Sequence, residues 1–223
     1  MLEVELKHVT KVLNGRVILD DVSLWFTPGM IYGLRGKNGC GKTMLMRTIC
    51  GFIRPTKGEV LINGKRLYKQ IDFPPSIGAL IENPSFLDEY TGQKNLELLQ
   101  SLYGNVKRES VLYALERVGL YEEKDKKYGK YSLGMKQKLG IAYAILDEPD
   151  LIVLDEPINA LDEESVELIR RILLELRGKG KIIIIACHDR EELNYLSDKI
   201  YVMREGKIIG EEDNIEFNKT DSV

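Results

Sequence analysis

The spacing of hydrophobic positions changes character along the chain, and each change predicts a different kind of element. At the start, LEVELKHV alternates apolar and charged residues, the pattern of a half-buried strand. VSLWF and MIYGL, separated by the turn sequence TPG, predict a second strand pair. EVLINGKRL places Asn63-Gly64 between two short β-like runs, the strongest short hairpin signal a sequence carries. From Thr91 the period lengthens. Leu96, Leu99 and Leu102, then Val111, Leu115 and Val118, recur at helical spacing, with Gly104 and Gly119 marking the ends. The charged run EEKDKKYGK that follows predicts a solvated loop with no chemistry in it.

In the last third, LIVLD and KIIIIACH are short and continuously apolar, as strands buried on both faces of a parallel sheet must be. Between them, Asp162-Glu163-Glu164 puts negative charge where a helix has its positive end. Val166, Ile169, Ile172, Leu173 and Leu176 supply the face which that helix buries. The order is strand-rich, then helical, then alternating, so the middle reads as an insertion into a doubly wound α/β core. No repeat, low-complexity stretch or linker divides the chain. The tail after Gly210, EEDNIEFNKTDSV, is polar and expected to fray.

Composition narrows this picture. A chain of 223 residues, 43% of them hydrophobic, can bury the core of one large α/β domain or of two intimate lobes. A net charge of −3 argues against a general affinity for nucleic acid. Cys40, Cys50 and Cys187 form no CxxC pair and leave an odd thiol, which suits a reducing compartment. MLEVELKHVT has no signal-peptide pattern. No apolar run approaches the roughly 18 residues that cross a bilayer, so the chain is not expected to span a membrane by itself.

The chemistry starts at GLRGKNGCGKT. Gly36-Lys37-Asn38-Gly39-Cys40-Gly41-Lys42-Thr43 is a full G-x-x-x-x-G-K-T match, placed directly after one strand and before the helix TMLMRTIC. Its glycines let backbone N–H groups turn toward a phosphate, and the helix points its positive end at the same place. Lys42 would reach the terminal phosphates and the Thr43 hydroxyl would ligate Mg²⁺. LIVLDEP supplies Asp155 for the metal and Glu156 to polarise an attacking water. LDEP also occurs at Leu146–Pro149, where it reads as a helix stop and a turn. The acids that follow the buried strand lie where open α/β sheets bind ligands, so the second copy is the chemical one. His188, at the end of KIIIIAC, is placed to hydrogen-bond a γ-phosphate. His8, in an edge-like strand, is assigned nothing. Cys40 has two readings: a thiol activated by a helix N-terminus and Lys42, which alkylation would block, or a small residue filling a glycine-rich bend.

The phosphate loop, Glu82 at the end of IGALIE, YSLGMKQ (131–137), LIVLDEP, Asn159-Ala160-Leu161-Asp162 and His188, in this order and spacing, resemble the ATP-binding-cassette ATPases. The resemblance runs over nearly the whole chain and is closest to the nucleotide-binding subunits of bacterial drug and peptide-antibiotic exporters. It implies a P-loop NTPase fold: a RecA-like core with an antiparallel β subdomain, carrying an inserted α-helical signature subdomain. As one nucleotide-binding domain, the core lobe would occupy 1–82 and 146–223 and the helical subdomain 83–145. It implies ATP and Mg²⁺, with Glu156 and His188 catalytic and Thr43, Glu82 and Asp155 around the metal. Two cassettes would pair head to tail, Ser132 and Gly134 of one chain capping the γ-phosphate in the other chain's loop, with Asp162 also at the nucleotide. A serine before a helix is equally a plain N-cap. The implied partners are a transmembrane permease subunit and a second copy or related cassette, at the inner face of the cell membrane on the cytoplasmic side. Pro84-Ser85-Phe86 is the candidate groove for a permease helix, with Phe86 either its anchor or an ordinary loop aromatic.

The chain also departs from the family pattern. Leu133 and Met135 replace a glycine and a glutamine of the signature, and Glu82 replaces a glutamine that senses Mg²⁺. Leu13 stands where an aromatic stacks on adenine, which predicts looser base discrimination. Ile158 and Ala160 replace a threonine and a glycine after the acid. The competing readings are a soluble ABC-type ATPase acting on nucleic acid or ribosomes, and a regulatory cassette that holds ATP without turnover.

Overall fold

The computed structural model describes residues 2–102, 104, 106–187 and 189–213. Two sheets organise it. In the first, β1 (Val4–Leu13) pairs antiparallel with β2 (Arg16–Phe26) and β4 (Lys57–Ile62), and β4 turns into the short β5 (Lys65–Arg66), giving the order β2-β1-β4-β5. Asn63 and Gly64 join β4 to β5 with φ of +50° and +73°, the double positive φ of a tight two-residue hairpin turn. The same dipeptide, Asn14-Gly15, joins β1 to β2.

The second sheet has six strands in the order β10-β9-β3-β8-β7-β6: β3 (Met30–Arg35), β6 (Ile77–Leu80), β7 (Leu151–Asp155), β8 (Ile182–Ala186), β9 (Lys199–Arg204) and β10 (Lys207–Asp213). All neighbours run parallel except β10 against β9. VSLWF and MIYGL therefore do not pair with each other. They lie in β2 and β3, in different sheets, because their burial differs. β2 alternates, with Trp25 58% exposed between buried Leu24 and Phe26, whereas Ile31, Tyr32 and Leu34 of β3 are all buried. A strand buried on both faces belongs in the middle of a layered sheet. The TPG turn carries the chain from one sheet to the other, and Phe26 packs edge-on against Tyr32 with 4.8 Å between ring centres.

Side chains of the parallel strands alternate between two cores. Ile152 and Leu154 of β7 and Ile183 and Ile185 of β8 face the first, while Leu151, Val153, Ile182, Ile184 and Ala186 face the second. The first core is closed by helices α2 (Gly92–Ser101), α3 (Arg108–Arg117), α4 (Leu133–Ala144), α5 (Glu163–Gly178) and α6 (Arg190–Leu196). The second is closed by the antiparallel sheet and α1 (Lys42–Ile49). Helices α2 to α4 all fall between β6 and β7. Ile169, Ile172, Leu173 and Leu176 form the buried face of α5, as their spacing predicts, and Asp162 caps it by accepting the Ser165 N–H at 2.8 Å.

Other expectations need correction. Leu102 is the C-cap of α2 and is 74% exposed, so it adds nothing to the helix's buried face. The charged run is not solvated to its end: Tyr128 is buried in a single 3₁₀ turn and donates its hydroxyl to the Pro84 carbonyl at 2.8 Å. β10 continues through Asp213, so the tail is strand past Gly210. Its acids are edge-strand residues held by Lys199 (to Glu211) and Arg35 (to Glu212), and charge is a common device on a sheet edge. Residues 214–223 lie outside the described residues. β1 lies inside its sheet, so His8 is not on an edge strand. It sits at a register irregularity, with φ +50° and its ring on Asp21.

Helix α4 lies tight against β6 because two glycines allow it. A Cβ on Gly78 would fall 1.7 Å from the Ala144 carbonyl oxygen, and one on Gly140 would meet Leu80 and Pro84 at 2.8 and 2.9 Å. Gly78→Ala is expected to cost about 3 kcal/mol, a drop in melting temperature of roughly 6–12 °C for a chain of this size. Thermal unfolding followed by circular dichroism checks it; an unchanged midpoint would contradict this packing.

Candidate nucleotide site

The loop between β3 and α1 is shaped by its small residues. At Gly36 a Cβ would lie 2.5 Å from both Cys40 Sγ and the Met203 carbonyl oxygen, and Gly41 has φ +113°, a region L side chains rarely adopt. Cys40 is buried with its sulfur against Gly36, which supports the space-filling reading of this thiol. Burial pushes the thiols of Cys50 and Cys187 up to about 12 and about 11, so neither is a thiolate at neutral pH. The start of α1 is unlike that of α5 or α6. Those helices have a carboxylate cap and acids in their first turn. By contrast, α1 has no side-chain cap and no acid there, and opens with Lys42. Its N-terminal partial charge and the buried lysine thus ask for an anion from outside the chain. Lys42 Nζ donates to the Gly36 carbonyl at 2.8 Å, which holds the amine over the loop.

Beside the loop, β7 ends at Asp155. The Thr43 hydroxyl donates to Asp155 Oδ2 at 2.7 Å, so two hard oxygen donors from distant parts of the chain meet at one point. Among the described residues no group of three or more His, Cys, Asp or Glu forms a metal cage. A hydroxyl and one carboxylate, completed by substrate phosphates, are what Mg²⁺ commonly takes. Glu156 follows with φ +51°, its N–H donated to the Ala186 carbonyl of β8 at 2.8 Å. Glu82, past the end of β6 and also at positive φ, forms an ion pair with Arg47 of α1 at 2.7 Å. The Arg47 guanidinium offsets the charge that a carboxylate brings to this position.

These groups surround one cleft of about 430 Å³. Asn38, Gly39, Gly41, Lys42 and Thr43 line it from the loop, Glu82 and Asn83 from the end of β6, and Asp155, Glu156 and Asn159 from beyond β7. Lys37 is exposed on the outside of the loop. The duplicate LDEP is elsewhere and structural: Asp147 accepts from Gln100 at 2.8 Å, and Glu148 pairs with Arg117 and Lys179. His188 lies outside the described residues.

Leu13, Ser132, Gly134 and Asp162 do not line the cleft. Leu13 is an exposed strand end, and the apolar residue that does reach the cleft from the first sheet is Ile18. Asp162 caps α5, and hydrogen bonds from Ser165 hold its carboxyl below the usual carboxylate range. Ser132 is exposed and caps α4, accepting the Met135 N–H at 3.2 Å. That bond uses a lone pair and leaves the hydroxyl proton to donate elsewhere, so a cap and a ligand contact are compatible. Like α1, α4 has no acid in its first turn. Phe86 is half-buried and packs edge-on against Tyr128 and Tyr143 of the helical layer. Sequence reasoning missed Gln137, a cleft residue on α4; its signal was a lone uncharged polar residue entering the apolar run LGIAYA.

The family model described as ABC transporter matches residues 19–159. The chain is 42% identical to the uncharacterized ABC transporter ATP-binding protein YybJ of Bacillus subtilis (strain 168), covering 92% of this chain and 94% of that one. It is 40% identical to the bacitracin transport ATP-binding protein BcrA of Enterococcus faecalis, over 97% of this chain and 71% of the relative. A dimeric structure of the ATP-binding cassette MJ0796 in a post-hydrolysis state, bound to ADP and Pi, superposes with a TM-score of 0.85 at 26% identity, covering 95% of this chain and 98% of that one. The six-stranded sheet, the glycine loop opening α1 and these likenesses agree: the chain belongs to the ABC transporter family, as an ATP-binding cassette that hydrolyses ATP.

Proposed function

We propose that this cassette is the motor of an exporter for a drug- or peptide-like molecule, working as a head-to-tail pair beneath a separate membrane permease. The observation that carries this reading is the division of the site. Lys42, Thr43, Asp155 and Glu156 share one cleft, while Ser132 and Gly134 stand outside it at an exposed helix start. A second cassette, a copy or a relative, would bring its Ser132 hydroxyl and α4 N-terminus over the γ-phosphate. The bacitracin-transport relative and the dimeric cassette support the reading.

In each cleft, the loop N–H groups and Lys42 hold the phosphates and Ile18 lies on the side open to the base. Thr43 and Asp155, with Glu82 released from Arg47, would hold Mg²⁺, which when bound neutralises charge on the β- and γ-phosphate oxygens. Glu156 takes a proton from the attacking water, and His188 donates to the γ-phosphate. Asp162, outside the chain's own cleft, would reach a nucleotide only across the pair, and Leu13 would border the adenine end only where the base extends past the cleft. Because Lys42, Asp155 and Glu156 all line the cleft, a cassette that only stores ATP is the weaker reading.

Among the described residues no helix is long and apolar enough to cross a membrane; in the proposed assembly the permease supplies the substrate pathway. The cassette would then sit on the cytoplasmic side, peripheral to the inner face, with 83–145 carrying motion to the permease. Tagged protein isolated from detergent-solubilised membranes is expected to carry a polytopic membrane protein, and that assembly to hydrolyse ATP faster than the cassette alone. Recovery wholly in the soluble fraction, with no such companion, would contradict the transporter reading.

A further inference from the structure

The geometry points to Gln137 as a positioning residue for Glu156, placed on the same helix that starts at Ser132. Gln137 is only 8% exposed, and its side-chain amide donates to the carbonyl oxygens of both Glu156 and Pro157, at 3.0 and 3.1 Å. A primary amide has two N–H donors, so one side chain can satisfy both carbonyls. The backbone it holds is in a sparsely populated conformation. Glu156 has φ +51°, which a side-chain-bearing residue keeps only when its surroundings over-determine it. Here they do: β8 holds the Glu156 N–H through Ala186, and α4 holds the Glu156 carbonyl through Gln137.

Helix α4 meets the same segment a second time. A Cβ on Gly134 would lie 3.0 Å from the Ala160 carbonyl oxygen, and Ala160 is itself at φ +63°. The first turns of α4 thus pack against the stretch 156–160 at two points. An apolar residue at 137 would suit the rest of the buried helix, where Leu139, Ile141, Ala142 and Ala144 are fully covered. It would leave two carbonyls without this donor and the Glu156 peptide held from one side. A shift of α4 when Ser132 engages a partner's nucleotide would reach the chain's own Glu156 through this amide. The capping of one nucleotide is thereby tied to the aim of the base at the other.

The inference rests on Glu156 being the general base, and the test separates the two. Gln137→Met keeps the length without a donor, and Gln137→Glu replaces the donor with an acceptor facing two carbonyls. Both are expected to bind ATP as the native chain does and to lower kcat by roughly 100-fold, the scale of a 1 Å misplacement. In a Glu156→Gln background, Gln137→Met should lower the residual turnover no further. If Glu156→Gln alone leaves hydrolysis intact, the base reading fails. If Glu156→Gln slows turnover but Gln137→Met lowers it by the same factor in both backgrounds, the positioning role is overturned. An unchanged kcat, or a loss of ATP affinity or folding that accompanies it, overturns it as well, because Gln137 would then be a fold contact alone.

Discussion

Glu156→Gln is expected to bind MgATP with native affinity and to release phosphate at least about 100-fold more slowly, the lower end of what a positioned general base contributes. The substitution preserves shape and hydrogen-bonding length while removing a carboxylate that can accept a proton at neutral pH. Glu156 lies directly after β7, beside Asp155 in the cleft. Its backbone is pinned to β8 and α4, so the amide variant should occupy the same place. Affinity measured by equilibrium titration and turnover by phosphate release separate the two effects. Turnover within a few-fold of native would remove Glu156 from the chemistry and leave the base unassigned.

The second large effect is expected at Lys42. Lys42→Ala should weaken ATP binding by about 10–150-fold, the worth of a charge-assisted hydrogen bond of roughly 1.5–3 kcal/mol. Lys42 is the buried cation of the loop, and its amine sits against the Gly36 carbonyl, where a phosphate oxygen would compete for it. The fold should survive, since the loop keeps its backbone bonds from Cys40 to Lys37 and from Gly206 to Cys40. The loss should persist when Mg²⁺ is chelated, because the lysine contact does not pass through the metal. Titration with a fluorescent ATP analogue, with and without chelator, tests this. Native affinity in the variant would contradict the phosphate cradle at this loop.

Much of the fold was legible because burial leaves a mark on residue order. LIVLD and IIIIA are apolar at every position, and both strands are buried on both faces in the structure. Asn63-Gly64 announces its hairpin because few residues adopt two successive positive φ values. Strand partners were not legible. β2 and β3 are neighbours in sequence, and only the three-dimensional layering assigns them to different sheets. The acids of β10 hid a strand because its pairing is backbone to backbone and its side chains face solvent or lysine and arginine partners.

The site divides along the same line. The phosphate loop and the acids after β7 are contiguous motifs, and the structure brings Thr43 and Asp155 within 2.7 Å. The contributions of Ile18 and Gln137 arise from folding. Each reaches the cleft only through the packing of its element, and Gln137 contacts a peptide nineteen positions away. Phe86 shows the same limit: its residue order leaves it a loop aromatic, and only the fold shows that Tyr128 and Tyr143 pack edge-on against its half-buried ring.

The most direct test of a motor that closes as a pair is the solution mass of Glu156→Gln with and without MgATP, with Glu156→Gln/Ser132→Arg beside it. The divided site predicts that MgATP doubles the mass and that the arginine, placed where the partner's γ-phosphate must be capped, prevents the doubling. A chain that binds ATP yet stays monomeric would contradict closure of two copies around the nucleotide.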